Sequence, residues 1–322
     1  MGIWTFTREN TQSRRERIPD VIFELVSLVG LSLAVLAAVL LAVQNLLIRV
    51  ATDGGDVGDA VVVMMGVNLL LVVPVAVVRH HPAYGLSPVA VGAFAAAGIT
   101  GLVLGRLCLF AGIETIGASR TTPILSASTL VAAVLAVLLF SESLTPPHLV
   151  GIALIVAGIA VISWVTAADS RSTASPRSVG VSLLFPIAAA AFTGIEPILV
   201  RIGLDAGTPI LAGLAVMMTT AFAGYTGYRR LRRIPFPTLV RNPHARWYVG
   251  AGVASTVGLL AYFGALASAP VVIVVPITHT APLIVIALSA LFLPNHLERV
   301  TWPLVAAAFV VVVGASLVTL SG

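Results

Sequence analysis

Three ionisable residues stand inside long apolar runs, where a charge costs about 2.5–3.5 kcal/mol to insert into a bilayer. Glu196 lies in "GIEPILVRIGLDAG" (residues 194–207), Arg106 in "GLVLGRLCLF" (101–110) and His279 in "PITHTAP" (276–282). Pro197, next to Glu196, has no backbone N–H and so frees a carbonyl one turn earlier. Carboxylate and carbonyl together could hold a cation, a proton or an ammonium group. Arg106 offers a planar fork of donors that matches a carboxylate or phosphate, or that simply neutralises Glu196. His279 sits between Pro276 and Pro282, flanked by Thr278 and Thr280. A kink is expected there, and kinked backbone at membrane depth is tolerated where it lines a cavity. An unperturbed imidazole titrates near neutrality, which suits proton coupling; a histidine satisfied within a core is the plainer alternative.

These stretches have twins. Residues 42–55 read "AVQNLLIRVATDGG", and an offset of 152 pairs Gln44 with Glu196, Leu47 with Leu199, Arg49 with Arg201, Asp53 with Asp205 and Gly55 with Gly207. At an offset of 153, Met64-Met65 pair with Met217-Met218, Gly105 with Gly258, Phe110 with Phe263, Pro123 with Pro276, Ser126 with His279 and Leu130 with Leu283. After a small insertion near "LPNH", the stretch "ESLTPP" faces "ERVTWP", pairing Glu142 with Glu298, Thr145 with Thr301, Pro147 with Pro303 and then Gly158 with Gly314. One register interrupted by one insertion marks a duplicated unit. Asn45 and Arg49 share a helical face, as do Pro197 and Arg201. Both arginines fall near helix ends, where snorkelling to headgroups accounts for them. The Thr-Pro steps read as helix caps, which leaves Glu142 and Glu298 interfacial and structural. Gln44, Asn45, Arg106, Ser126, Glu196, His279 and Thr280 are therefore the candidate substrate or ion pathway.

Composition sets the solvent. Hydrophobic residues make up 58% of the 322 and charged residues 10%, against about 25% charged in soluble domains. Lipid offers no partners to backbone N–H and C=O groups, so the chain must satisfy them internally. Apolar runs of twenty or more residues without alternation favour helices over a barrel. The net charge is +5 with no lysine, and the arginines cluster in tails and loops as headgroup anchors do. Basic patches interleaved with aromatics are missing, so no nucleic-acid partner is expected. A single cysteine, Cys108, excludes an intrachain disulfide framework and a multi-cysteine metal site; its apolar setting reads as a small buried side chain. There is no P-loop, H-E-x-x-H helix, G-x-S-x-G elbow or Cys–His cluster, so neither an enzyme nor a cofactor is expected.

At about 20 residues per span, ten helices are predicted: 24–50, 58–79, 89–113, 118–140, 147–167, 179–202, 208–228, 247–267, 270–293 and 302–320. The chain divides into a basic tail (1–23), a first repeat (24–167), a polar linker (168–178, "ADSRSTASPRS") and a second repeat (179–320). Five spans per unit is odd, so the second unit enters from the opposite side and the repeat is inverted. Such a repeat brings a midplane site between halves that can face either side by rocking. On these boundaries Arg106 and Glu196 fall on opposite sides of the midplane, about 15 Å apart at 1.5 Å per residue.

The run "LFAGIETIGASRTTPILSASTLVAAVLAVLLFSESLTPPHLVGIALIVAGIAVIS" resembles the EamA family of the drug/metabolite transporter superfamily, in Pro123, Glu142, Leu144, Thr145, Gly151 and Gly158. The second half keeps Pro276, Glu298, Thr301 and Gly314, with Val300 in place of leucine. The resemblance spans residues 24–320. It implies an all-α integral membrane protein of ten transmembrane helices in two inverted five-helix repeats. It further implies a secondary active transporter moving a small polar metabolite such as an amino acid or nucleoside, most often outward, by alternating access. Expected with it are a small-molecule substrate, protons as a coupling ion, the lipid bilayer of the cell membrane, cytoplasmic termini and an assembly open to homodimerisation. A non-transporting scaffold and an intramembrane enzyme are the alternatives. The arginines disagree with that orientation: Arg8, Arg14, Arg15 and Arg17 lie seven predicted spans from Arg229, Arg230, Arg232, Arg233, Arg241 and Arg246. An odd number of spans puts the clusters on opposite faces, and the larger one should lie inside.

Overall fold

The computed structural model describes residues 6–51, 57–116, 121, 124–142, 144–167, 182–236, 244–292 and 302–320, with side chains from residue 28 onward except at scattered positions and in 162–167. Every described element is helical. The first half holds α1 (Phe6–Ala51), α2 (Val57–His80), α3 (Pro88–Ala97), a π-helical stretch Gly98–Gly105, α4 (Arg106–Ile116), α5 (Ser128–Phe140) and α6 (Pro146–Ala167). The second holds α7 (Leu184–Asp205), α8 (Ile210–Leu231), α9 (Ala245–Ser268), α10 (Val271–Thr278), α11 (Ala281–Phe292) and α12 (Trp302–Leu320). Six helices among the described residues are long and apolar enough to cross a membrane: 28–51, α2, the continuous run 88–116, α7, α8 and α9. Shorter apolar helices occupy 128–140, 146–161, 271–285 and 309–318.

Sequence explains most of these boundaries. Ser87 accepts a hydrogen bond from Ala90 N–H at 3.1 Å and Pro88 takes the first helical position, where its missing donor costs nothing. Gly207, at φ +80°, reverses the chain after α7 as only glycine does freely. Two expectations change. The basic tail is helical from Phe6, continuous with α1, because nothing between Thr7 and Val50 breaks a helix except Pro19, which α1 contains. The predicted helices 118–140 and 270–293 are not single rods: turns at Ser126–Ala127 and His279–Thr280 interrupt them.

The two halves interlock. α1 packs on α9, α10 and α11 of the second half, while α7 packs on α3, the π stretch, α4 and α5 of the first. α2 meets α8, and α6 meets α12. Packing is thus exchanged between repeats, with each first helix lodged against the third and fourth elements of the other half. Glycines show the exchange in atomic detail. A Cβ on Gly105 would come 3.0 Å from Thr193 Oγ1, and one on its mate Gly258 would come 3.2 Å from Leu40 Cβ. Gly158 receives Val311, and its mate Gly314 receives Ile155 and the carbonyl of Gly151. Leu70, Val78, Leu138, Trp302 and Phe309 are exposed on the outside, as lipid-facing side chains would be.

Several contacts close one end of the bundle. Glu142 accepts the N–H groups of Val271 and Val272, both at 2.9 Å, so a first-half carboxylate caps the N-terminus of α10. Arg201 bonds Asp205 at 2.9 Å and donates to Leu266 O at 2.6 Å and Ala269 O at 3.3 Å. The snorkelling expected of Arg201 is therefore corrected: a carbonyl-rich helix end lies within reach and satisfies it. Thr208 Oγ1 donates to Gly85 O at 3.0 Å in the same layer. At the other end Arg229, only 3% exposed, pairs with Asp59 at 2.7 Å and donates to Pro235 O. The cap in "ESLTPP" also differs in detail: Thr145 Oγ1 lies 2.9 Å from His148 Nδ1, whose ring reaches back toward the Thr145 N–H. Pro123, Glu298, Thr301 and Arg241 lie outside the described residues, as does the whole linker 168–178.

Candidate functional site

Consecutive residues of α7 point to different neighbours and so gather a site around that helix. Thr193 touches the π stretch at Gly105. Gly194 lets α5 approach, since a Cβ there would come 2.6 Å from Ser128 O and from Val131 Cβ. Glu196 lies against Gly101, where a Cβ would come 2.6 Å from both its Cγ and its Oε2. Glycine is thus required at 101 by the carboxylate itself.

Arg106 follows from the same stretch. Hydrogen bonding of the i→i+5 type turns less per residue than the α-helix, so residues five apart lie nearer to one face than they would at about 3.6 residues per turn. The π geometry of Gly98–Gly105 therefore brings Arg106 nearer the face that Gly101 presents to Glu196. The two charges feel each other, as Glu196 and Tyr262 also do, and Arg106 and Tyr225. They are nevertheless not in contact: the ion pairs among the described residues join Arg201 to Asp205 and Arg229 to Asp59. Neither Arg106 nor Glu196 has a hydrogen-bond partner among the described residues. Neither has an atom sealed from solvent without a partner, and both side chains are half-buried. Protein surrounds them while their polar ends stay accessible. Glu196 stands level with Gly101, five residues before Arg106, and not about 15 Å from it across the midplane, because α7 runs on to Asp205, beyond the predicted end at 202.

A second cluster adjoins the first through Ser128. The break at Ser126–Ala127 in the first half matches the break at His279–Thr280 in the second, position for position in the repeat. The broken helices meet there. Thr129 Oγ1 lies 3.0 Å from His279 Nδ1, fixing the ring while Nε2 has no partner among the described residues. Pro282 has no N–H to continue the ladder, which explains the second break. Ser128, fully buried, has a hydroxyl with no partner among the described residues at the first turn of α5, where backbone N–H groups lack helical acceptors.

The predicted residues separate on this map. Arg106, Glu196 and His279 converge around α7 and α5. Ser126 is buried at the matching break. Gln44 is buried and donates to Asn45 Oδ1 at 3.4 Å. Asn45 is exposed on the outer face, since neighbours on a helix point about 100° apart. Thr280 donates to Ile277 O at 2.7 Å and closes its own turn. Cys108 is half-buried rather than buried. Unforeseen are Thr129, Ser128 and Tyr262 at the site, and a buried cluster in which Asn68 lies 3.2 Å from Ser255 Oγ and 2.9 Å from Thr256 Oγ1. Asn68 is the only amide within apolar α2, and that was the available signal. Among the described residues no group of three or more metal-ligating side chains occurs.

The interlocked halves, the duplicated glycine seams and the matched breaks coincide with a family profile: the EamA-like transporter family matches residues 28–164 and again 180–320. The chain belongs to the EamA-like transporter family. Its two EamA repeats are the two halves that exchange their first helices. Among solved structures, 29 chains match, one of them a crystal structure with TM-score 0.72 and 17% identity over 92% of this chain and 97% of its own. At that identity the likeness is one of fold alone. No protein of curated function matches the chain. Members of the family are transporters, and the apolar helices make this one a multi-pass membrane protein.

Proposed function

We propose that this EamA protein is a secondary active transporter of a small polar metabolite, working by alternating access at the interface of its repeats. One observation carries the reading: Arg106 of the first repeat and Glu196 of the second stand opposite each other, accessible and without direct partners. Two charges kept apart within the span of a membrane protein are costly, so their retention favours a ligand that bridges them. The matched helix breaks support it, because discontinuous helices at the junction of repeats supply free backbone groups to solutes. Ten crossings in two inverted units follow, divided as tail 1–23, repeat 24–167, linker 168–178 and repeat 179–320. Export across the cell membrane, with cytoplasmic termini and protons as the coupling ion, completes the proposal. Arg106, Glu196 and His279 are its central residues, with Gln44 and Ser126 as their repeat counterparts. Asn45 and Thr280 leave the pathway.

A thermal-shift screen of purified protein in detergent against amino acids, nucleosides, sugars and organic acids tests this reading. A ligand at 100 times its Kd stabilises by about 2.7 kcal/mol. One class should stabilise the wild type and lose its effect in Glu196→Gln. Equal responses in both proteins would remove Glu196 from the site, and no response from any class would favour a scaffold.

A further inference from the structure

We infer that the end of the bundle where α8 stops and α9 starts is a docking surface for anionic phospholipid headgroups, held by Arg230, Arg232, Arg233 and Arg246. The inference is independent of the transporter reading. Two contacts place these residues on one level. Arg229, near the end of α8, pairs with Asp59 in the first turn of α2. Tyr248, in the first turn of α9, donates to the carbonyl of Ala51, the last residue of α1, at 3.5 Å. Both α8 and α9 are long and apolar enough to cross the membrane, so this end falls at headgroup depth.

Two of the four arginines stand where their own backbone does not favour them. Arg233 follows α8 with φ +55°. Its N–H bonds Arg230 O at 3.1 Å, and Ile234 N–H bonds Arg229 O at 2.9 Å. That double closure ordinarily has glycine at this position, because a Cβ is crowded there. Arg246 is the second residue of α9, where unpaired N–H groups make the helix end positive and repel a cation. Local structure would favour glycine at the first place and an acid at the second. Negative charge from outside the chain compensates both. The chain itself does not supply it: Asp59 is engaged by Arg229, and Glu114, in the last turn of α4, forms no ion pair among the described residues. Arg230, Arg232, Arg233 and Arg246 are exposed, with no ion pair or side-chain hydrogen bond among the described residues. Arg246 Cζ lies 4.9 Å from the centroid of the Trp247 ring, a stacking contact that leaves its N–H edge open. Leu231, 83% exposed, stands among the arginines and can enter the acyl region while the guanidinium groups stay with phosphates. The charges lie along one level rather than around one pocket, which fits a leaflet better than a single free phosphate. They fit phosphatidylglycerol, whose phosphate no amine neutralises, better than a zwitterionic lipid.

The test uses the full chain purified in dodecyl maltoside and titrated separately with short-chain phosphatidylglycerol, short-chain phosphatidylcholine and inorganic phosphate. Affinity is read from the rise of the thermal unfolding temperature with ligand concentration. Phosphatidylglycerol should bind about tenfold or more tighter than phosphatidylcholine, since each arginine at an anionic surface contributes about fivefold. The difference should disappear in about 1 M salt. Arg233→Gly and Arg246→Gln should each lose about fivefold in affinity for phosphatidylglycerol and none for phosphatidylcholine. Without lipid, both variants should unfold at the wild-type temperature or above it, because each relieves a local conflict. The wild-type comparison needs no variant, so a misfolded mutant leaves it intact. Equal affinities for the two lipids overturn the inference, as does stabilisation by inorganic phosphate at the same concentrations, which would make the surface a site for a free anion. Variants that keep the full preference, or that unfold earlier without lipid, overturn it too, since the arginines would then serve the fold.

Discussion

The contact of the π stretch and α4 with α7 and the contact of α9 with α1 occupy the same place in the two repeats, yet they differ in every residue that could act. In the first contact Gly101 faces Glu196, Gly105 faces Thr193, and Arg106 follows. In the second, Ala254, Gly258 and Leu259 stand at the positions of Gly101, Gly105 and Arg106, with Gly258 against Leu40 and Leu41 of α1 and Gln44 at the repeat position of Glu196. The first is π-helical; the second is regular α-helix throughout 245–268. A reciprocal asymmetry exists at the helix pairs beside them. Asn68, Ser255 and Thr256 form a buried polar cluster, while the matching positions Ala221, Leu102 and Val103 are apolar. Duplication supplied two equal seams, and each has been specialised differently: one is accessible and charged, the other sealed.

The comparison can be broken most severely at Gly101. Gly101→Leu would drive its side chain into Glu196, so solute release should fall to background and detergent thermal unfolding should shift by about 1–3 kcal/mol of destabilisation. Ala254→Gly at the matching place should keep full transport and cost only about 0.5–1 kcal/mol. If both variants behave alike, the seams are functionally equivalent. Next come the charges. Arg106→Met or Glu196→Gln should each reduce the transport rate or affinity about 10–100-fold, whereas Leu259→Met should stay within about threefold. The Arg106→Met/Glu196→Gln double variant should unfold at a higher temperature than the wild type, since it removes two half-buried charges that have no direct partners. A lower melting temperature would mean that the pair is structural.

Charge ties at the two ends sharpen the picture with smaller effects. Asp59→Asn leaves the 3% exposed Arg229 without its carboxylate and should destabilise by about 2 kcal/mol in thermal unfolding. Asp205→Asn, whose partner Arg201 keeps two carbonyl acceptors and whose own side chain is 49% exposed, should cost less than about 1 kcal/mol. Smallest is Thr129→Val, which strips His279 of its Nδ1 partner for about 1 kcal/mol. A transport pH profile that differs from the wild type would show that the orientation of His279 matters to coupling; an unchanged profile would confine it to packing.

Much of this was legible beforehand at the level of elements. Every predicted apolar stretch contains helix, because twenty residues without charge have few other ways to satisfy their backbones. The repeat register proved to be a packing register: Gly105 and Gly258 receive residues of α7 and α1 that are themselves repeat mates. The prolines of "PITHTAP" announced a kink at the observed break. The helix caps were less readable. Glu142 was assigned to an interface on its local neighbours, but its partners, Val271 and Val272, lie far along the chain, and no local pattern encodes them. Arg229 was counted among charges that set topology, although Asp59 holds it inside the bundle, so one arginine fewer in that cluster reports on orientation.

Composition and periodicity by themselves determined that this protein is helical, lives in a membrane and is built twice, because those properties follow from solvent transfer and local backbone chemistry summed over long stretches. The site was decided by tertiary structure. "GITGLVLG" reads as ordinary helix, and its π geometry appears together with close packing against α7, where glycines at 101 and 105 admit Glu196 and Thr193. That single change of helical pitch brings Arg106 nearer the face of Glu196, and the axial position of α7 sets their level. Distances between helices depend on how far each slides along the other, and one turn of sliding, about 5.4 Å, separates two unrelated charges from two that face each other.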